Sequence, residues 1–382
     1  MPTITHIFKT YFPDTQGGLE EAIRQIGKYS IANGYKVNVV SISKNPAERT
    51  IDGIKCKSYR FSFGNDSMPV SVPLMLNFRQ IIDETDIVQL HYPYPLGDFL
   101  LLLYNVKKPI IVTFHCEILN RPLIRMIYEP FARAILKHAA VIVPTSQNLV
   151  NSTPLLQKFK YKTKVINLWL DEHRFDVIKP VDSDFEKQVE SYKNFALFVG
   201  VLRWYKGVDV LLDVAKKIKE NIVIVGKGPL RVHLEKRIVD EGITNVYLTG
   251  HLNDDQVAYL FKSCKFTVLP SISPAEAFGQ VLLESSYFSK PMITTELGTG
   301  TSYVNKHGET GFVVKPGSVE EMTEAMNVLF TENNILKKFG NKKFLTLINS
   351  FNYGFTTKDF DKNFYKIYGF KFNKKEFSKF IK

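Results

Sequence analysis

The stretch Glu276-Ala277-Phe278-Gly279-Gln280-Val281-Leu282-Leu283-Glu284 says most about the fold and function of this chain of 382 residues. Its two glutamates flank a Phe-Gly pair, and on a single helix they would lie about 12 Å apart along the axis. This separation is too large for both glutamates to act on one reacting atom, but it suits a long ligand that is bound at both ends. Gly279 permits close backbone approach, and the apolar run after it predicts the start of a buried helix whose free N–H groups face an anion. The stretch therefore predicts a sugar-nucleotide site, with two solvated glutamates on an amphipathic helix as the alternative.

Short apolar strands alternate with longer amphipathic helices twice along the chain, which predicts two units with parallel sheets. In the first half a helix is predicted over Gly18–Asn33, and strands are predicted near Ile4–Phe8, Lys36–Ser41, Ile87–Leu90, Ile110–Phe114 and Val141–Pro144. In the second half strands are predicted near Phe195–Val199, Asn221–Val225, Val246–Thr249, Phe266–Pro270 and Met292–Thr294.

The chain is longer than one hydrophobic core usually supports, so two domains are expected. We predict a first domain over residues 1–170 and a second over residues 195–350. The polar segment 171–194 lacks a strong apolar period and is predicted to connect them. Residues 351–382 hold a predicted C-terminal helix, around Thr357–Tyr368, followed by a basic tail.

Composition is that of a soluble globular protein, with 45% hydrophobic and 23% charged residues. The three cysteines, Cys56, Cys116 and Cys264, are odd in number and far apart, which argues against a disulfide framework or a zinc site and favours a reducing compartment. The N-terminal Met1–Phe8 reads as a strand without the features of a signal peptide. The longest purely apolar run, Phe99–Leu103, is too short to span a bilayer. A cytoplasmic protein, or one peripheral on a membrane, is expected.

A net charge of +12 predicts attraction to an anionic partner. Four basic residues recur at multiples of four on one face of an amphipathic helical pattern, which indicates contact with an anionic membrane surface: Arg121, Arg125, Arg133 and Lys137. Pro130 is expected to kink or divide that helix. The tail Lys371–Lys382 interleaves lysines with phenylalanines and suits either a bilayer interface or a solvated basic surface. Because no nucleic-acid-binding module is visible, no nucleic acid partner is expected.

In parallel α/β sheets ligands bind outside the carboxyl ends of strands, so motifs directly after strands carry the most weight. Gly17 and Gly18 open a helix after the first strand, where exposed amides and the helix dipole would attract a phosphate, although a plain turn explains two glycines equally well. After the strand ending at Val199, Arg203 can hold phosphate oxygens bidentately and Lys206 can act as a point charge.

The loop Gly226-Lys227-Gly228-Pro229 follows another strand but does not continue to a third glycine, which disfavours a Rossmann dehydrogenase. A P-loop kinase is excluded because its phosphate-binding motif is missing. Two histidines also stand at strand ends, His91 after Ile87–Leu90 and His115 after Ile110–Phe114. The pair Asp182 and Asp184 has the spacing of a metal motif, but it lies in the predicted connector, and no metal site is predicted.

The spacing of the two glutamates and the Phe-Gly pair between them resemble the retaining glycosyltransferases of family 4. That resemblance implies an α/β protein of the GT-B fold, with two Rossmann-like domains and a central cleft. The first domain would be on the acceptor side, the second would bind the nucleotide sugar, and the last helix, around Thr357–Tyr368, would cross back to pack on the first domain. It implies that Glu276 lies near the transferred sugar and that Glu284 binds the ribose hydroxyls. The amides of the intervening residues would meet the sugar and the diphosphate: Phe278, Gly279, Gln280 and Val281.

Other motifs agree with this resemblance. Gly17 and Gly18 match the N-terminal glycine loop of the family, and Gly226 matches its nucleotide-side loop. His115 stands where the family has a histidine that touches the donor sugar or its phosphate. His91 opens a segment similar to that of mannosyltransferase-like members, which makes it a candidate on the acceptor side.

Arg203 departs from the family pattern, since the arginine is commonest two residues earlier, at Val201. Positions 201 and 203 face one side of an extended chain, so Arg203 is the predicted substitute. With Lys206 it would stabilise the leaving diphosphate, and Glu276, Arg203, Lys206 and His115 are the predicted catalytic residues.

The segments Thr295–Asn305 and His307–Gly311 are similar to members that use GDP-mannose or a related GDP-sugar to build bacterial surface polysaccharide, such as lipopolysaccharide. This implies a retaining, metal-independent hexosyltransferase without a cofactor. Its acceptor would be a glycan or lipid-linked glycan at the inner face of the cytoplasmic membrane. The alternatives are the same fold with a UDP-sugar donor, and a noncatalytic subunit that binds nucleotide sugars or glycans.

Overall fold

The structure is a computed structural model that describes residues 1–15, 17–65, 68–117, 122–168, 170, 175 and 177–341, without the side chains of 122–125 and 341. The described residues divide into two compact units, one ending at Ile166 and the other beginning at Asn167. The predicted C-terminal helix around Thr357–Tyr368 and the basic tail Lys371–Lys382 lie outside the described residues.

The first unit alternates strands with helices. Its strands are β1 (Thr3–Ile7), β2 (Lys36–Ser43), β3 (Glu48–Ile51), β4 (Ile54–Arg60), β5 (Phe63–Asn65), β6 (Met68–Val70), β7 (Ile87–Tyr92), β8 (Ile110–Phe114) and β9 (Val141–Pro144). Its helices are α1 (Gly18–Ala32), α2 (Val72–Asp83), α3 (Pro95–Leu103), α4 (Pro122–His138), α5 (Gln147–Ser152) and α6 (Pro154–Lys158).

Seven strands of this unit form one sheet, in the order β3-β4-β2-β1-β7-β8-β9. All neighbours are parallel except the β3–β4 pair, and β5 and β6 form a separate hairpin. Chain order moves outward from β1 in one direction through β2 and in the other through β7. The topological switch point, where ligands of such sheets bind, therefore lies between β1 and β7.

The five strands predicted in this half are confirmed within two residues at each end, because buried parallel strands read as continuous apolar runs. Strands β3 to β6 were missed, since β3 and β5 are almost wholly exposed and carry no apolar alternation. Of the two outcomes expected at Pro130, division of the helix does not occur, since α4 continues through the proline. Pro130 is exposed, so water can solvate the carbonyl group that loses its partner.

The second unit has the same alternation. Its strands are β10 (Phe195–Val199), β11 (Asn221–Val225), β12 (Val246–Gly250), β13 (Phe266–Leu269), β14 (Met292–Thr295) and β15 (Gly311–Val314). Its helices are α7 (Ser183–Ser191), α8 (Val208–Ala215), α9 (Arg231–Asp240), α10 (Asp254–Ser263), α11 (Gln280–Tyr287), α12 (Thr301–Val304), α13 (Val319–Thr331) and α14 (Asn333–Asn341).

These six strands form one parallel sheet in the order β12-β11-β10-β13-β14-β15. The five strands predicted in this half are again present, and β15 was missed. The switch point of this sheet lies between β10 and β13. Helix α7 falls inside the segment predicted as a connector. The Asp182 side chain accepts the Phe185 N–H and caps it, while Phe185 and Val189, four residues apart, are buried in the core of the second unit.

No helix in the described part of the chain combines the length and apolar character needed to cross a bilayer.

Candidate active site

The switch point of the second sheet brings two loops together. Strand β10 leads through Gly200–Arg203 into a 3-10 turn, Trp204–Lys206, and then into α8. Neighbouring strand β13 leads through a loop that carries Glu276 and ends at α11. Because both loops leave the carboxyl end of the same parallel sheet, side chains 70 positions apart in sequence become neighbours.

Lys206 and Glu276 form a buried ion pair at this point. The Lys206 ammonium bonds to Oε2 of Glu276, and the two side chains are only 14% and 8% exposed. Ser271 Oγ donates to the same Oε2 at 3.0 Å, and Thr299 Oγ1 donates to the Glu276 carbonyl at 2.8 Å. Among the described residues none hydrogen-bonds to Oε1 of Glu276, so one carboxylate oxygen and part of the ammonium's donor capacity are available to a ligand.

Burial alone would lower the pKa of Lys206, but the negative charge of Glu276, the nearby Tyr205 and the hydrogen bond to Glu276 together raise the pKa above its ordinary value. Lys206 therefore carries its full positive charge at neutral pH. The nearby guanidinium of Arg203 acts in the opposite sense on the same pKa, which puts that second cation close to the pair. Arg203 itself is exposed, at the start of the 3-10 turn.

The start of α11 lies next in the chain. Gly279 caps it with φ of +77°, a left-handed conformation that an L side chain rarely adopts, and no side chain caps the helix. The first N–H groups of α11 are therefore available to an anion. Nε2 of Gln280 is buried and has no hydrogen-bond partner among the described residues. Half-buried Glu284 lies one turn further on the same face of the helix. The helix begins after Gly279, so Glu276 lies in the loop and only Glu284 is on the helix.

The Gly226 loop continues the sheet beyond the ends of β10 and β11. Gly226 has φ of +144°, and a Cβ there would lie 1.9 Å from the carbonyl oxygen of Gly200. Leu202 N–H donates to the Lys227 carbonyl at 2.9 Å. Only glycine fits at position 226, and the loop therefore packs its backbone directly against the loop that leads to Arg203 and Lys206.

The carboxyl end of the first sheet carries a chain of three buried histidines. Nδ1 of His6 lies 2.9 Å from Nε2 of His91, and Nδ1 of His91 lies 3.1 Å from Nε2 of His115. The rings stack with centroids 5.2 and 5.4 Å apart. His6 is on β1, His91 is on β7 and His115 follows β8, so the row of three histidines crosses the switch point of the sheet. Burial lowers the pKa of His6 and of His115 to about 3, and lowers that of His91 well below its usual value.

The start of α1 holds a carboxylate. Oε1 of Glu20 accepts hydrogen bonds from Oγ1 of Thr10 at 3.1 Å and of Thr15 at 2.7 Å. A Cβ at Gly17 would lie 3.0 Å from Oε2 of the same side chain. A phosphate bound beside Gly17 and Gly18 would therefore meet the negative charge of Glu20.

Arg121 lies outside the described residues, and the side chain of Arg125 on α4 is not described. Arg133 bonds to Glu129 at 2.5 Å, whereas Lys137 is exposed. The same helix exposes large apolar side chains, Met126, Ile127 and Phe131. Its surface is therefore both basic and apolar.

Within the second unit the structure brings Arg203, Lys206, Glu276 and the start of α11 close together at the carboxyl ends of β10 and β13. Sequence reasoning missed Ser271, Thr299 and His6. Each stands at or near a strand end, and the one available signal was His6, the ionisable side chain of its strand. Among the described residues no three His, Cys, Asp or Glu side chains converge on a point that a metal ion could occupy.

Two family models match the chain. The model described as Glycosyltransferase Family 4 matches residues 16–174, and the model described as Glycosyl transferases group 1 matches residues 181–345. The chain is 33% identical to O-antigen chain mannosyltransferase C of Escherichia coli, over 88% of this chain and 91% of that protein. It is 34% identical to D-rhamnosyltransferase WbpZ of Pseudomonas aeruginosa, over 88% and 89% of the two chains.

The fold is that of solved glycosyltransferases. The structure of Anabaena HepE, in complex with UDP-glucose, superposes with a TM-score of 0.73 at 17% identity, over 96% of this chain and 99% of that one. Sucrose-phosphate synthase of Thermosynechococcus elongatus gives 0.73 at 16% identity, over 96% and 97%. Together with the relatives and the two family models, this shows that the chain belongs to the family 4 glycosyltransferases, which have the GT-B fold.

Proposed function

We propose that this glycosyltransferase moves mannose from GDP-mannose to a glycan or lipid-linked glycan, with retention at the anomeric carbon, during the synthesis of a bacterial surface polysaccharide. The single observation that carries the proposal is the buried Lys206–Glu276 pair beside the uncapped start of α11. The choice of mannose rests on the two relatives, which are named as an O-antigen mannosyltransferase and a D-rhamnosyltransferase.

The diphosphate of the donor would bind at the start of α11. The free amides there favour negative charge, and the cations of Lys206 and Arg203 stand close by. As the sugar–phosphate bond breaks, charge grows on the diphosphate, and cations already in place stabilise it without reorganisation. Unpartnered Nε2 of Gln280 supplies a further donor at the same helix start.

Glu276 would orient the sugar through Oε1, the oxygen that Lys206 and Ser271 leave open. Glu284, one turn into α11, would accept hydrogen bonds from the ribose hydroxyls. Glu276 is held by the Lys206 cation and would not form a covalent intermediate. The acceptor hydroxyl would attack the anomeric carbon from the same face that the diphosphate leaves. The backbone of Phe278 to Val281 and the Gly226 loop would complete the donor site. This chemistry uses neither a cofactor nor a metal ion.

Residues of the first unit enter the proposal through the family resemblance. His115 would contact the donor sugar or its phosphate. His91 would lie on the acceptor side, but it would act through His115, because both of its ring nitrogens are already engaged by His6 and His115. Gly17 and Gly18 would form the N-terminal glycine loop. The position of the histidines at the switch point of their sheet supports a ligand-binding role.

We also propose that the enzyme works at an anionic membrane, at the inner face of the cytoplasmic membrane, where a lipid-linked acceptor would lie. Helix α4 supports this because Met126 and Ile127 are 65% and 67% exposed beside basic residues, a combination typical of interfacial helices. The bond between Arg133 and Glu129 offsets one of the positive charges. Insertion of the apolar side chains would therefore add to the attraction of the remaining positive charges.

A UDP-sugar is the second candidate donor, since HepE, which shares the fold, was solved with UDP-glucose. A thermal-shift screen of GDP-mannose, UDP-glucose and UDP-N-acetylglucosamine separates the two, because a ligand selective for the native state stabilises it by about 2.7 kcal/mol at 100 times its Kd. GDP-mannose should raise the melting temperature most. Stabilisation by a UDP-sugar alone would overturn the donor assignment. Release of GDP by the enzyme, in the presence of EDTA, would dismiss a noncatalytic subunit and a metal requirement together.

A further inference from the structure

The three histidines of the first unit obey a simple constraint. A neutral imidazole has one N–H donor and one acceptor nitrogen. Burial keeps all three rings neutral at pH 7. Each of the two contacts, at 2.9 and 3.1 Å, joins an Nδ1 to an Nε2 and needs one proton. If His6 donates from Nδ1, then His91 must donate from Nδ1 to His115, and His115 must carry its proton on Nδ1. If the direction is reversed, all three protons are on Nε2.

The two outer ring nitrogens of the histidine row distinguish the two states once a ligand is bound. Nε2 of His6 and Nδ1 of His115 are both buried without a hydrogen-bond partner among the described residues. When every proton is on Nδ1, the N–H without a hydrogen-bond partner is Nδ1–H of His115, and the acceptor nitrogen without a partner is Nε2 of His6. When every proton is on Nε2, the N–H without a partner is Nε2–H of His6. His6 is on β1, the central strand of the seven. A buried N–H without a partner is the rarer and costlier of the two defects. A ligand oxygen at His115 removes that defect only in the first state.

We infer that His6, His91 and His115 form one tautomer-locked unit, in which His6 and His91 are positioning residues that present Nδ1–H of His115 as a hydrogen-bond donor to a ligand oxygen. The ligand chemistry is a sugar hydroxyl or a phosphate oxygen, and this part rests on the proposed function. The lock itself rests only on the geometry of the three rings. Which ring nitrogen carries the proton is generally set by the partner of the other nitrogen, as the two contacts here require.

Nuclear magnetic resonance of the full chain labelled with 15N-histidine tests the lock directly, because protonated and unprotonated ring nitrogens give distinct signals. Replacing His6, His91 and His115 one at a time assigns their signals among the eight histidines. The three rings should share one tautomer in the free protein, and all should carry the proton on Nδ1 once GDP-mannose is added. Two different tautomers in the free protein, or a charged ring among the three at pH 7, would overturn the lock.

A matched pair of variants tests its consequence for turnover. His6→Asn keeps an N–H donor near the position of Nδ1, whereas His6→Leu has the same size and no donor. We expect kcat to fall about tenfold in His6→Leu, with KM for the donor little changed, and no more than about twofold in His6→Asn. Thr5→Val is the control, since it removes the hydrogen bond between Thr5 and Thr85 on the opposite face of β1. Equal activity of the Asn and Leu variants, whether both high or both low, would refute the positioning role.

The shared tautomer of the three histidines and the assignment of GDP-mannose as donor can each be refuted without the other. If GDP-mannose neither binds nor turns over, the donor assignment fails, and the tautomers of the free protein still decide the lock. If the donor binds and His115 then carries its proton on Nε2, the donor role of Nδ1–H is wrong although the glycosyltransferase assignment stands.

Discussion

Replacing Lys206 by methionine should destabilise the second unit in a pH-dependent way. Methionine keeps most of the volume of the side chain and removes the ammonium, so the Glu276 carboxylate, 8% exposed, retains only the hydrogen bond from Ser271. Breaking one side of a buried ion pair typically costs about 3–5 kcal/mol, because an uncompensated charge remains in the interior.

The loss of folding free energy in this variant is limited, because a carboxylate that has lost its partner can bind a proton and become neutral. At pH 7, protonating a glutamate whose unfolded-state pKa is about 4.3 costs about 3.7 kcal/mol, and at pH 5.5 about 1.6 kcal/mol. In the variant the folded state then binds more protons than the unfolded state, so its stability rises as the pH falls. The destabilisation relative to wild type should therefore shrink by about 2 kcal/mol between pH 7 and pH 5.5.

The assay is urea unfolding followed by the fluorescence of Trp204, which adjoins the site and is 51% exposed. Trp169, the other of the two tryptophans, is replaced by phenylalanine in every protein so that the signal comes from Trp204 alone. The double variant Lys206→Met/Glu276→Gln is the control, and its difference from wild type should not depend on pH over this range. A loss below about 1 kcal/mol for Lys206→Met, equal at both pH values, would refute a buried pair.

Three further predictions follow from the same site and from α4. Gly279→Ala should cost about 1–2 kcal/mol in urea unfolding because of its positive φ, and it should also weaken donor binding. Glu284→Ala should raise the KM for the donor about tenfold at nearly constant kcat, since a ribose contact is the same in ground and transition states. Lys206→Ala should instead lower kcat. The reverse pattern would exchange the roles of the two residues. Wild type should sediment with anionic liposomes and hardly with neutral ones, and Arg133→Glu/Lys137→Glu should be released, at about 1 kcal/mol per basic residue, without loss of GDP-mannose binding. Equal sedimentation of the two proteins would show that these residues form only a solvated surface.

The sequence predicted the strands of both sheets well where a strand is buried on both faces. Phe195–Val199 and Ile110–Phe114 are present with the predicted bounds because each is a continuous apolar run closed by a glycine or a polar residue. The exposed strands Glu48–Ile51 and Phe63–Asn65 could not be predicted in this way, since their side chains face water and give no apolar pattern. Each pairs with the next strand of the chain in a short antiparallel hairpin.

For the site, the strand-end rule found individual residues and could not pair them. Lys206 and Glu276 were each identified, but their bond depends on β10 lying next to β13, which is a property of strand order. The same limit explains His6, which is only a single ionisable residue in its strand until β1 is placed beside β7. Local sequence predicts what each loop carries, and topology decides which loops meet.

The most direct test of the account follows the sugar itself. The full chain is incubated with GDP-mannose, with water as the acceptor, and proton NMR records GDP release and the anomer of the first mannose formed, before it mutarotates. We predict GDP release with the α-anomer of the donor retained, and its loss in Glu276→Ala. Release of the β-anomer first would contradict retention, and turnover of a UDP-sugar with none of GDP-mannose would contradict the donor.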